Sequence, residues 1–227
     1  MPMRARLDAA LLTRPPRLLH ALLPGCEWTG PRASLAGSPA VYLTFDDGPI
    51  PDETPWVLEQ LAQFKAKATF FCVGQNLERY PEIARAALVA GHRLGNHTHY
   101  HRSAWASSRA EYLASVARCQ QALAGIASSV PASPLPTALF RPPYGRLTWP
   151  LLRSLQPAFR VVMWSVLTRD YDPSLSPESC LRFALAAIRP GDIIVFHDSQ
   201  KASARLRFVL PRLLAHFAER GFQFDVL

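Results

Sequence analysis

The sequence predicts an α/β fold in a single domain: a parallel sheet, with helices between its strands, closed into a barrel. Three observations predict it. Short apolar runs alternate with amphipathic stretches along most of the chain. The length, 227 residues, is enough for one domain with a full core. Asp46, His97, Arg141, Asp170 and His197 each fall at or just after the end of an expected strand. In β/α barrels that rim is where active sites are built.

The elements follow in order. Leu18, Leu19, Leu22 and Leu23 at helical spacing predict a short helix, and residues 1–40 are expected to form a segment packed on a barrel of residues 41–227. Strands are expected near 41–45, 68–73, 92–96, 138–140, 160–165, 192–196 and 222–226. Helices are expected near 55–64, 76–90, 108–126, 148–155, 177–188 and 204–219. Pro55 sits just inside the start of the first of these, as helices often allow. Tyr112, Val116, Cys119 and Leu123 recur at helical spacing in the third. Ser176 reads as the N-cap of 177–188, with Pro177 and Glu178 in its first turn. The Ser- and Pro-rich stretch 128–137 reads as a surface connection.

Composition narrows the function classes. The net charge is +8, but only three of the 25 basic residues are Lys, and Ala, Leu and Pro are abundant beside Arg. With no dense basic run and no nucleic-acid motif, the charge reads as compositional bias, and no nucleic-acid partner is expected. Cys26, Cys72, Cys119 and Cys180 form no Cys-x-x-Cys pair, so neither a zinc knuckle nor a disulfide framework is signalled, and Cys72 and Cys119 are expected in the core. Residues 1–24 are interrupted by Arg14, Pro15, Pro16 and Arg17, which makes a poor signal peptide and a poor membrane span. The cytoplasm is the default location, with the cell envelope left open.

Four clusters carry chemistry. In Thr44-Phe45-Asp46-Asp47-Gly48-Pro49 two adjacent carboxylates follow the apolar Val41-Tyr42-Leu43. Burying both is costly unless a cation or an Arg lies beside them, and a solvated turn is an equal alternative for this cluster alone. Gly95 to His101 holds three of the seven histidines, His97, His99 and His101. On a strand all three would share a face; on a helical turn only His97 and His101 would. Spacing alone leaves both open. In Arg141-Pro142-Pro143-Tyr144-Gly145 the prolines hold Arg and Tyr at a fixed relative geometry. Asp192 to Asp198 is a buried-strand pattern ending in His197-Asp198.

These residues resemble the motifs of the polysaccharide deacetylases of carbohydrate esterase family four, which carry the NodB homology domain. The match runs from about Val41 to Leu227. Thr44 to Pro49 reproduces the family's first motif. His97 to His101 fits the His-Ser/Thr-x-x-His motif and makes His99 a spacer. Arg141 to Tyr144 fits the third, and Val195-Phe196-His197 the last, with Val in place of the usual Leu. The fourth motif departs from the pattern: Asp-x-x-Asp-Trp is Leu167-Thr168-Arg169-Asp170-Tyr171 here. The resemblance implies a distorted (β/α)7 barrel resembling a TIM barrel, in agreement with the seven expected strands.

The resemblance also implies roles. Asp47, His97 and His101 would bind a divalent ion, zinc in the first place and cobalt or nickel as alternatives. Asp46 would be the general base, with Arg141 orienting it. The backbone N–H of Tyr144 would stabilise the oxyanion. His197, paired with Asp170, would protonate the departing amine, and Tyr144 and Tyr171 would contact the sugar. The expected activity is metal-dependent removal of acetyl groups from an N-acetylglucosamine-containing polymer or oligomer, peptidoglycan or chitin-like. The alternatives are deacylation of an O-acetyl polysaccharide or an N-acyl glycolipid, and an inactive carbohydrate-binding member of the fold.

Overall fold

The computed structural model describes residues 13–16, 18–130 and 138–227. Its sheet consists of β1 (Ala40–Asp46), β2 (Ala68–Cys72), β3 (Arg93–Asn96), β4 (Leu139–Phe140), β5 (Arg160–Val161), β6 (Val166–Leu167), β7 (Ile193–His197) and β8 (Gln223–Phe224). The strand order is β5-β4-β3-β2-β1-β7-β6, with β8 also paired to β1, and every pairing is parallel. A strand stands at each of the seven expected places, but at 160–165 it is only β5, Arg160–Val161, and β6 follows as a separate strand at Val166–Leu167.

That division has a physical cause. The carbonyls of Val162 and Met163 accept from the Arg141 guanidinium at 3.4 and 2.9 Å instead of continuing a ladder. β5 and β6 therefore do not pair, and the barrel has a seam. A strap of the N-terminal segment lies across it. Glu27 N–H donates to Val161 O at 2.8 Å, Met163 N–H to Glu27 O at 2.7 Å, and Gly30 N–H to Gly191 O at 2.9 Å. Sheet edges left bare are open to other chains, and the strap covers this one.

Residues 40 to 46 alternate between the two faces of the sheet. Val41, Leu43 and Phe45 join the large core under the helices. Ala40 and Tyr42 face a smaller interior cluster with Phe71, Leu139, Val162, Ile193 and Leu227. Thr44 and Asp46 continue this inner row, so the strand carries a carboxylate to the barrel's mouth on the face away from the helices. All seven residues of β1 are buried.

The helices lie near their expected places: Glu53–Gln63, Arg109–Ser128, Trp149–Leu155, Pro177–Ala187 and Ser203–Ala218. The first starts two residues early, leaving Pro55 within its first turn. The stretch 76–90 is two helices, Gly74–Arg79 and Pro81–Val89, broken at Tyr80 (φ −131°, ψ 53°). Pro81 disfavours helical backbone at the residue before it, a signal the periodicity hides. Ser108 and Glu111 form a reciprocal capping box, and Ser176 caps its helix through Ser179 N–H at 3.2 Å. The short helix Leu18–Leu22 forms, but Leu18 and Leu22 are exposed. Leu23 packs on the cluster around Tyr112 and Leu152. Cys72 and Cys119 are buried free thiols. Most of the surface connection, 131–137, lies outside the described residues.

Candidate active site

Asp46, at the tip of β1, meets Arg141 just after β4. Arg141 Nη1 donates to Asp46 Oδ1 at 2.7 Å and to Thr44 Oγ1 at 2.6 Å. The guanidinium is fully buried and also stacks 4.1 Å from the Phe71 ring centroid. Buried charges survive only with good partners. Here one fork satisfies a carboxylate, a hydroxyl and the two carbonyls that open the seam.

Asp47 turns the other way. Its φ of 85° is left-handed, and its carboxylate points toward two imidazoles. Asp47 Oδ1 lies 3.1 Å from His101 Nε2 and 3.8 Å from His97 Nε2. His97 Nδ1 is 2.8 Å from Arg141 O, and a carbonyl only accepts, so the proton sits on Nδ1 and Nε2 keeps its lone pair for the cluster. Burial of His97 pushes its pKa down to about 4, against the raising influence of Asp46 and Asp47, so the ring is neutral near pH 7.

The histidine segment is neither strand nor helical turn. It leaves β3 as an irregular loop pinned by Asn96 Oδ1 on Thr98 N–H (2.9 Å) and by Thr98 Oγ1 on His101 N–H (3.0 Å). Thr98 and His101 take φ of 63° and 51°. His97 and His101 thereby face one point with ring centroids 5.0 Å apart. His99 turns inward and is buried against Gly74, where an added Cβ would lie 2.4 Å from its Nδ1.

The donor set fits a cation. One ligand atom from each of Asp47, His97 and His101 lies within 4.8 Å of the others. Asp47 Oδ1 is buried and makes no hydrogen bond. An unpaired buried carboxylate oxygen beside two free imidazole nitrogens suits a borderline divalent ion such as zinc.

On the far side of β1, His197 ends β7. Its Nδ1 lies 2.7 Å from Asp170 Oδ1, and its backbone N–H donates to Asp170 Oδ2 at 2.7 Å. Asp170 is fully buried. Burial works against a charged His197, yet the Asp170 carboxylate outweighs it and lifts the pKa to about 9. The imidazolium is the form present near neutral pH.

These groups share one cavity of about 530 Å³, walled further by Tyr144, Gly145, Arg146, Trp164, Leu167, Tyr171, Val195, Ser199 and Lys201. Tyr144 is left-handed at φ 59° in the turn Pro143–Gly145, and its exposed ring lies 4.8 Å from that of His101. The Tyr171 ring stands edge-on to His197 at 5.0 Å. Every residue expected at the site from the sequence lines this cavity or, like Arg141 and Asp170, supports one that does.

Sequence reasoning passed over three supporting residues. Thr44 holds Arg141. Trp164 lines the cavity, and an added Cβ on Gly145 would lie 2.3 Å from its ring. Asp198, fully buried, accepts from Gly48 N–H at 3.1 Å and from Thr54 Oγ1 at 2.5 Å. It anchors the turn after Asp47, and a Cβ on Gly48 would lie 2.1 Å from its Oδ2. Burial pushes its carboxyl up to about 8. The one signal available was its place beside His197 at a strand end.

The model of the polysaccharide deacetylase family matches residues 35–157, more than half of the chain. The chain belongs to that family. A chitooligosaccharide deacetylase of Azorhizobium caulinodans is 34% identical over 208 residues, spanning 83% of this chain and 92% of its own. A peptidoglycan-N-acetylglucosamine deacetylase of Bacillus cereus is 31% identical over 188 residues, 81% of this chain and 84% of its own. Among solved structures, a peptidoglycan N-acetylglucosamine deacetylase bound to a naphthalenyl N-oxidanyl-benzamide superposes with a TM-score of 0.74. It is 28% identical and covers 92% of this chain and 93% of its own. A family four carbohydrate esterase from Streptomyces lividans, bound to acetate, has a TM-score of 0.70 at 30% identity, over 82% of this chain and 92% of its own. The distorted (β/α)7 architecture of this polysaccharide deacetylase is thus that of the family four esterases, which are metalloenzymes. No helix among the described residues is long and apolar enough to cross a membrane.

Proposed function

We propose that this chain hydrolyses the N-acetyl amide of N-acetylglucosamine units in a polymer or oligomer, releasing acetate. The observation that carries this reading is the meeting, in one cavity, of three differently prepared groups. They are a carboxylate locked to a buried Arg (Asp46), an open donor cluster (Asp47, His97, His101) and an imidazolium held by a carboxylate (His197).

Asp47, His97 and His101 would hold one divalent ion, zinc in the first place. When bound, such an ion supplies Lewis-acid polarisation of the amide carbonyl and makes water more acidic. Asp46 accepts the proton of the attacking water. Its second oxygen is free for this while Arg141 fixes the first. Negative charge then grows on the former carbonyl oxygen, and Tyr144 N–H donates to it. The next two N–H groups of that turn are engaged to Pro142 O and Pro143 O. His197 passes its Nε2 proton to the departing amine, and Asp170 on Nδ1 keeps the ring oriented and charged until then. Tyr144 and Tyr171 offer ring faces to the sugar.

Acetate release from penta-N-acetylchitopentaose tests the reading. Activity should vanish on chelation, return on zinc addition and fall by about 10²–10⁴-fold in Asp46→Asn. Full activity in metal-free protein, or an Asp46→Asn variant as active as wild type, would overturn it.

A further inference from the structure

We infer that the glycan runs through the site rather than ending in it, so that acetyl groups are removed from internal sugars of a chain. This rests on the deacetylase reading above. It adds a second arm to the binding site, on the side of the donor cluster away from Tyr144.

The catalytic cavity is not closed behind its donor cluster. A groove of about 460 Å³ begins there, and it shares Asp47, His101 and Ser199 with the cavity. Its other walls come from segments to which the catalytic reading gives no task. Ile50, Pro51 and Asp52 follow β1, Asn76 and Tyr80 lie in and just after the helix Gly74–Arg79, and Gln200 follows β7. The Asp47 and His101 side chains are 28% and 26% exposed. They form a divide between two open spaces, not a back wall. The groove is nearly as large as the cavity of about 530 Å³, so it has room for a whole sugar ring and not merely for a few waters.

The opposite direction is open as well. The Tyr144 ring, 4.8 Å from that of His101, is 61% exposed, and Trp105 beyond it is 66% exposed. The Arg146 guanidinium bridges these two rings, 4.9 Å from the Trp105 centroid and 5.8 Å from that of Tyr144. A run of flat surface therefore leads from Trp105 through Tyr144 to His101, and past it into the groove that Tyr80 lines. Aromatic faces of this kind suit the apolar faces of sugar rings. A site for a chain end needs a stop on one side of the reacting sugar. Here the sugar whose acetamide reaches Asp46 has room for a neighbour in both directions. Contacts to those neighbours help to hold the acetamide in place for attack.

The test maps where the first acetyl group is lost. Hexa-N-acetylchitohexaose labelled at its reducing end is treated with the zinc-loaded full chain until a small fraction has lost one acetyl group. Fragmentation in a mass spectrometer then locates the free amine. Wild type should place it on internal sugars. Gln200→Trp fills the groove from an exposed position outside the catalytic machinery. It should move the free amine to a chain end and lower kcat/KM on the hexamer by about three- to tenfold, while tri-N-acetylchitotriose reacts nearly as fast as before. Tyr80→Ala should act in the same direction more weakly. A free amine confined to a chain end in wild type overturns the inference, and so does a Gln200→Trp variant with wild-type positions and rates. Equal slowing of trimer and hexamer by Gln200→Trp would make the groove an exit for acetate and also overturns it. All three results leave the deacetylase reading intact. No acetate from the hexamer or from penta-N-acetylchitopentaose overturns the deacetylase reading itself.

Discussion

Asp46 and Asp47 are adjacent in the chain, and their surroundings differ in kind. Asp46 ends a strand, and a fully buried guanidinium donates to it and to Thr44 in the same grip. Asp47 leaves the strand through a left-handed turn, and one of its buried oxygens has no hydrogen bond at all. The first carboxylate is complete without any further group, while the second is built around something that is added. The difference shows how one motif supplies a base and a ligand: the pleat separates the two side chains, and loops from other strands then finish each environment differently.

Several variants would break that contrast. The largest expected effect is at the open side. Asp47→Asn should lose bound metal and with it all measurable turnover, with metal content read by elemental analysis. Asp46→Asn should keep the metal and lose about 10²–10⁴-fold in kcat. Loss of metal in Asp46→Asn with retention in Asp47→Asn would reverse the two assignments. At the closed side, Arg141→Met leaves Asp46 buried without its cation. A destabilisation of about 3–5 kcal/mol is expected in urea unfolding, and a variant as stable as wild type would mean water reaches Asp46.

Asp170→Asn probes the second closed pair. With Asp170 present, His197 stays protonated up to about pH 9, so turnover should hold across neutrality and fall above that. Without the carboxylate, burial is the main remaining influence and favours the neutral ring. The alkaline limb should move down by about two units or more, toward or below the ordinary value near 6.5. Stability follows the same sign. A raised His pKa contributes stability in full below the unfolded value of about 6.5 and loses it as pH rises through about 9, so the variant's stability should vary less across that window. An unmoved limb would remove His197 as the acid. The smallest effect is expected at the rim, where Tyr171→Ala should raise KM by about three- to tenfold with little change in kcat.

Much of this was legible in the sequence, for reasons visible in single residues. The strand ends were readable because buried parallel strands are apolar runs, and Asp46, His97, Arg141 and His197 interrupt them. The resemblance then paired His97 with His101 where spacing alone could not. The backbone behind that pairing was not legible. Among the described residues, seven non-glycine positions have positive φ, and five of them, Asp47, Thr98, His101, Tyr144 and Arg169, lie in the motifs. Propensity argues against such backbone, and only the tertiary hydrogen bonds around it hold it in place. The break between β5 and β6 was hidden for a related reason. Nothing in Val162-Met163 shows that a distant guanidinium takes both carbonyls.

The strap over the seam bears on how much of the chain must be kept for the sheet to stay covered. The family model's match starts at residue 35, but the backbone that covers the β5 edge lies at residues 27–30. A chain trimmed to begin at Leu35 would keep every catalytic side chain and uncover the β5 edge, and bare edges recruit strands from neighbouring molecules. Such a chain should scatter light increasingly with concentration at temperatures where the full chain does not. A synthetic peptide spanning 24–34, added back, should compete for the edge and slow that growth. If the trimmed chain stays monomeric, the edge is protected by its shortness alone.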